Sequence, residues 1–185
     1  MKHFVAISIL LTLTCTDAAS EIIDGEPLPA VVLDGEAGEL YVVHEEVRYR
    51  AWSSEALTGK IFVLYHLAAR HNIDKVNQAF IDTLDTEEFP SEHYQLVTIL
   101  NIDDVFTLGG SMARRGFESS RTKRLTSRTA YVLDDQSKVR DTWGLEKKGS
   151  AVIIVDKEGI VLCHKDSVLT KQEITKFITR IYNAF

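Results

Sequence analysis

An unbroken apolar run at residues 61–65, IFVLY, constrains this chain more than any other stretch. It follows a Gly59-Lys60 turn and leads through a short polar elbow, Arg70-His71-Asn72, into a helical pattern. A run of that length, rich in β-branched and aromatic residues, predicts a strand buried on both faces. Such a strand belongs in the middle of a sheet that has cover on both sides. A buried strand feeding a helix through a tight elbow is also where α/β folds place their chemistry. The helix N-terminus there carries partial positive charge and free N–H groups.

The flanking pattern supplies the cover. Pro27 and Pro29 keep residues 22–29 extended. The apolar stretches at 31–33 and 40–43, around Asp34-Gly35, predict a β-hairpin. Residues 49–52 predict a further short strand or turn, and 55–57 a helical turn. Past the elbow, a helix begins near Asn72 or Asp74, with Ile73, Val76, Phe80 and Leu84 on one face, and ends before Phe89-Pro90. A second buried strand spans 94–100. A helix over 112–124, weakened by Gly116, leads to a third strand at 130–133. Residues 138–145 predict a short helix with Val139 and Trp143 facing inward. Strands at 151–155 and 160–164 are joined by the turn Asp156-Lys157-Glu158-Gly159. Thr170 and Glu173 form a capping box for the last helix. Its apolar face reads Ile174, Phe177, Ile178, Ile181, Tyr182 and Phe185. This order predicts a central mixed β-sheet flanked by helices on both faces.

The first twenty residues stand apart. Met1-Lys2-His3 is a short basic start, residues 4–13 are apolar, and Ala18 and Ser20 precede Glu21. That pattern predicts a cleaved signal peptide over 1–20 and one domain over 21–185. The apolar run is too short to span a bilayer, so no membrane attachment is expected after cleavage. A formal net charge of −6 argues against nucleic acid as a partner. Of the two cysteines, Cys15 lies in the leader, so Cys163 alone remains. One cysteine can neither close an intrachain disulfide nor run a two-cysteine redox cycle. No motif calls for a cofactor.

The strings GKIFVLYHLAAR at 59–70, Tyr94 with Asn101, Asp103 and Asp104, and Arg115 with Glu118-Ser119 resemble the YtfJ family. Trp143-Gly144-Leu145, Ser150-Ala151-Val152, Asp156-Lys157-Glu158-Gly159 and Lys165-Asp166 with Leu169-Thr170 complete the resemblance. It covers nearly the whole chain after the leader. It implies a thioredoxin-like fold and a periplasmic location in Gram-negative bacteria, without implying an activity.

Thioredoxins need two cysteines at the elbow, where the helix N-terminus favours thiolate. Laid against that pattern, the two positions here are His71 and Asp74. The position of the thioredoxin cis-proline holds Ser150. A cis bond without proline costs roughly 3 kcal/mol, so a trans bond is expected there. Thiol–disulfide exchange is therefore not expected. Arg70, His71, Asp74 and Ser150 would form the lip of a groove that binds a partner protein, a peptide or a small anion. Arg114 and Arg115 would add positive charge, the alternative being a solvated helix face. His66, His71 and Asp74 carry ligand types that suit zinc or copper, which would support a metal-assisted hydrolase at His71 and Asp74. Against that, no second ligand pair has metal-site spacing, His66 reads equally as a core histidine and Asp74 as a first-turn charge. Cys163 reads first as a small, partly buried residue, with a one-cysteine thiol peroxidase as the alternative.

Overall fold

The structure, a computed structural model, describes residues 21–103, 110–121 and 128–185, with the side chains of residues 120 and 121 left aside. The predicted leader lies outside the described residues, as do Asp104, Leu108, Gly109, Lys123, Arg124 and the side chain of Arg121. In chain order the strands are β1 (Val32–Leu33), β2 (Gly38–Val43), β3 (Glu46–Arg50), β4 (Trp52–Ser53) and β5 (Ile61–Ala68). They continue as β6 (Tyr94–Asn101), β7 (Thr129–Asp134), β8 (Ser150–Val155) and β9 (Val161–Lys165). The helices are α1 (Gln78–Thr86), α2 (Gly110–Arg121), α3 (Lys138–Trp143) and α4 (Lys171–Tyr182).

Every residue of β5 is buried, as its apolar run requires. The strand lies between β6, which is parallel to it, and β8, which is antiparallel. The seven-stranded sheet runs β3-β2-β7-β6-β5-β8-β9. Alternation along β5 divides the core in two. Ile61, Val63, Tyr65 and Leu67 pack with Phe80 and Leu84 of α1 and Phe177 and Ile181 of α4. Phe62 and Leu64 face the opposite way, against Leu33, Trp52, Val139 and Trp143. Phe117 anchors α2 on Leu40, Tyr131 and Leu133. The sheet is thus mixed and covered on both faces, as the element order predicts.

The predicted hairpin around Asp34-Gly35 is not formed. β1 pairs instead with β4, Leu33 opposite Trp52. The hairpin is β2–β3, turned by His44 and Glu45, both with positive φ (49° and 67°). That is the backbone of a tight two-residue turn, built here without the usual Asn-Gly signal. Gly38 opens β2 because a Cβ there would lie 2.3 Å from the Arg50 carbonyl oxygen. The segment after the elbow also departs from expectation. A 3₁₀ turn, Ile73–Lys75, comes first, and α1 starts only at Gln78. α3 stops at Trp143, two residues early, because Gly144 takes a left-handed φ of 64° and caps it. Tyr182, the last residue of α4, and Phe185 beyond it are half-exposed rather than buried, and both pack against Phe89 with ring centroids 5.1 and 5.4 Å away. No described helix is long and apolar enough to cross a membrane.

Candidate functional site

The carboxyl end of β5 is pinned on both sides. The Ala68 N–H donates to the Gly149 carbonyl at 3.1 Å, and the Ala69 N–H to the Asn101 carbonyl at 2.7 Å. The chain then bends, with the Arg70 N–H bonded to the Ala68 carbonyl at 2.8 Å and the Ile73 N–H to the Arg70 carbonyl at 3.3 Å. Asn72 adopts a left-handed φ of 60° to complete the bend. Ile73 is the buried plug of the elbow, while Arg70, His71 and Asp74 stand exposed on its lip. Between the elbow and α2 lies a groove of about 350 Å³. Its floor is apolar, made by Leu67, Ile73, Leu100 and Phe117, and Arg70 and Asp74 belong to its rim. The structure therefore brings Arg70 and Asp74 together around one groove.

Ser150 is placed differently from the expectation. It is 3% exposed, pairs with Leu67 in the sheet, and its hydroxyl accepts from the Asn77 amide at 3.2 Å. The neighbouring Gly149 has its N–H on the Glu146 carbonyl and its carbonyl on Ala68. The backbone polar groups of Gly149 are spent inside the protein. No cis peptide bond occurs among the described residues, so Ser150 follows a trans bond. The sequence reading missed Asn77, which ties this region together. It is 2% exposed, donates to the Ser167 carbonyl at 3.1 Å as well as to Ser150, and accepts from the Leu169 N–H at 2.9 Å. The available signal was only an asparagine inside the predicted helix, which was expected to begin at Asn72 or Asp74. The Asn77 side chain makes no capping bond.

His66 does not join His71 and Asp74. Alternation along β5 turns it to the Phe62 and Leu64 face, opposite Ala151, where it is 1% exposed. Among the described residues no group of three His, Cys, Asp or Glu side chains is placed to hold a metal ion. The predicted metal trio is thus split across the sheet by strand parity. Cys163 sits on β9 in the α4-side core, 2% exposed. Burial pushes its thiol up to about 12, with Asp24 adding to the effect. A thiol in that state is protonated at neutral pH, because burial outweighs the lowering effect of Arg180 and Lys176. Arg114 is committed internally. It donates to the Glu36 carbonyl at 3.1 Å and to Asp135 at 3.4 Å, and lies 5.5 Å over the Tyr49 ring. Arg115 on the same helix is exposed. The basic surface is therefore narrower than α2's sequence suggests.

A second polar group occupies the ends of β6 and β7. The fully buried Asn101 and Ser137 are bonded at 3.0 Å, and the Ser137 hydroxyl donates to Asp103 at 2.9 Å. The buried Asp134 carboxylate accepts from the N–H groups of Gln136, Lys138 and Val139, at 3.3, 3.0 and 2.8 Å. Burial nonetheless raises its pKa above the usual carboxylate range, against the pull of those bonds. Asp134 thereby caps α3, whose formal cap Ser137 has a left-handed φ of 58° and no capping bond. These side chains satisfy one another and hold the strand ends beside the elbow.

Solved structures of similar shape share the thioredoxin-like architecture. The thioredoxin domain of a thiol-disulfide oxidoreductase from Bacteroides vulgatus superposes with a TM-score of 0.54 at 15% identity, covering 86% of this chain and 98% of that one. A thiol-disulfide isomerase from Corynebacterium glutamicum superposes with 0.51 at 10% identity, covering 90% and 97%. At such identities the likeness is one of fold. Sequence relatives are nearer. Escherichia coli (strain K12) has an "Uncharacterized protein YtfJ" that is 31% identical over 174 residues, covering 94% of this chain and 92% of the relative. An "Uncharacterized protein" of Haemophilus influenzae is 33% identical over 156 residues, covering 84% and 83%. The model of the family described as "Bacterial protein of unknown function (YtfJ_HI0045)" matches residues 22–184. With a thioredoxin-like sheet, an elbow that carries His71 and Asp74, and a family match along almost its entire described length, the chain belongs to the YtfJ family.

Proposed function

We propose that this protein is an exported, periplasmic binding protein whose thioredoxin-like elbow holds a partner without thiol chemistry. The observation that carries the reading is the elbow groove, with its apolar floor and the opposite charges of Arg70 and Asp74 on its rim. A groove of about 350 Å³ suits one apolar side chain of a partner segment, with the exposed Arg70 on its rim to meet a neighbouring carboxylate. Because the polar backbone groups of Gly149 are already bonded, side-chain insertion is favoured over strand addition at that loop. The absence of cysteine from both elbow positions supports a non-redox role. The leader pattern of residues 1–20 supports the periplasmic address.

The test replaces His71 with a photo-crosslinking residue, and Glu158 likewise as a remote control, in the exported protein. Illumination in periplasm is expected to give a discrete adduct from position 71 and none of that mass from position 158. Arg70→Glu in the same chain is expected to abolish it. An adduct common to both positions, or one indifferent to Arg70→Glu, would overturn the reading.

A further inference from the structure

A second cavity, of about 470 Å³, lies along the sheet behind α1. Its origin is a size pattern across three strands. Tyr65 of β5, Thr98 of β6 and Tyr131 of β7 are in register on one face. Adjacent strands are about 4.8 Å apart, so the two tyrosines stand roughly 10 Å from one another with a short threonine between them. Tyr94, further along β6, closes one end. All three tyrosines are at most 5% exposed. The result is a slot with aromatic walls and a low floor.

The charges around the slot are unevenly distributed. Asp85 and Arg128 act on the same Tyr94 hydroxyl in opposite senses: burial raises its pKa most, Arg128 lowers it and Asp85 raises it. Those two charges therefore gather at the Tyr94 end and offset one another. Asp74 lines the cavity at the other end, where the Tyr65 hydroxyl donates to its backbone carbonyl at 3.2 Å. Its carboxylate makes no ion pair with another described residue. Among the described residues of the lining, two carboxylates stand against one guanidinium. Aromatic walls with surplus negative charge are the chemistry that recognises an ammonium group.

We propose that this cavity is a binding site for a small organic cation, an ammonium-bearing molecule seated between Tyr65 and Tyr131 with Asp74 as its counter-charge. The site shares Asp74 with the rim of the elbow groove but is otherwise lined by different residues, so its test is read from amides that line this cavity alone.

Choline and its uncharged isostere 3,3-dimethylbutanol test it by titration into isotopically labelled protein, read from backbone amide shifts. Choline is expected to give saturable shifts at Thr98 and Thr129, and the isostere none at equal concentration. Asp74→Asn is expected to weaken choline about tenfold. Glu158→Gln, which removes a carboxylate outside the cavity, is expected to leave affinity unchanged. Equal binding of the isostere would overturn the cation assignment. Shifts confined to Ala69, Ala113 and Phe117 would move the cation to the elbow groove and overturn the cavity. The absence of any saturable shift would overturn the site altogether.

Discussion

Asp134 lies fully buried and accepts three backbone N–H groups from the start of α3. Asp134→Ala would strand those donors in the interior, and is expected to cost on the order of 3 kcal/mol in urea denaturation. Its pH signature has a definite sign. Burial raises the carboxyl's pKa in the folded protein, so the fold holds that proton more tightly than the unfolded chain does. The Asp134 contribution therefore falls as pH rises past about 3.9, the unfolded value, and levels off once the folded carboxyl has ionised. In Asp134→Asn that decline should be absent from a series of urea midpoints over the same interval. Cys163 offers a second single-residue test. With its thiol pushed up to about 12 by burial, maleimide labelling of the native protein at neutral pH should run on the order of a thousandfold slower than for free cysteine. Rapid labelling would revive the peroxidase alternative. At this scale the residue types were legible, but their use was not. Nothing in the local pattern singles out Asn77, Ser137 or Asp134. Their partners lie 73 and 36 residues away for Asn77 and Ser137, distances that periodicity does not report.

Elements were more legible where one face alone decides them. α4 was read nearly to its end, and β5 from its first residue but only to Tyr65, three short of Ala68, because burial on one stripe or on two faces leaves a strong periodic trace. The capping box of α4 formed as predicted, with the Thr170 and Glu173 side chains bonded reciprocally to backbone N–H groups. The Lys165 hydrogen bond at 2.8 Å, and then those of Thr170, hold the Glu173 carboxyl down at about 2. That contribution is present above the unfolded value of about 4.3 and is lost as pH falls through 2. Glu173→Gln should flatten this acid limb in a thermal-melt series, opposite in slope to the Asp134 effect. The elbow itself depends on Asn77, which joins the start of α1 to Ser150 and to the 167–169 loop. Asn77→Ala is expected to cost about 3 kcal/mol, and to speed hydrogen exchange at the Leu169 amide. Wild-type exchange there would show that the tether does not hold the loop. The β2–β3 hairpin was misread because the turn signal Asp34-Gly35 is real but closes a different loop. The positive φ values that make the hairpin fall on His44 and Glu45, neither of them the Asn or Gly that marks such a turn.

For the molecule as a whole, the export reading makes one chemical prediction. Protein purified from whole cells should begin at Glu21 by N-terminal sequencing. A start at Met1 would remove the basis for the periplasmic address. The sequence by itself determined the layered α/β architecture, the central place of β5, and the lack of cysteine at the elbow. These follow from apolar periodicity and residue identity, which are local properties of the chain. Only the tertiary structure decided what the candidate residues face. Strand parity sent His66 to the opposite side of the sheet from the elbow helix, internal partners claimed Ser150 and Arg114, and core packing sealed Cys163. The two cavities on either side of Asp74 arise in the same way. They are gaps between α1, α2 and the sheet, set by side chains that meet only once the strands are in register.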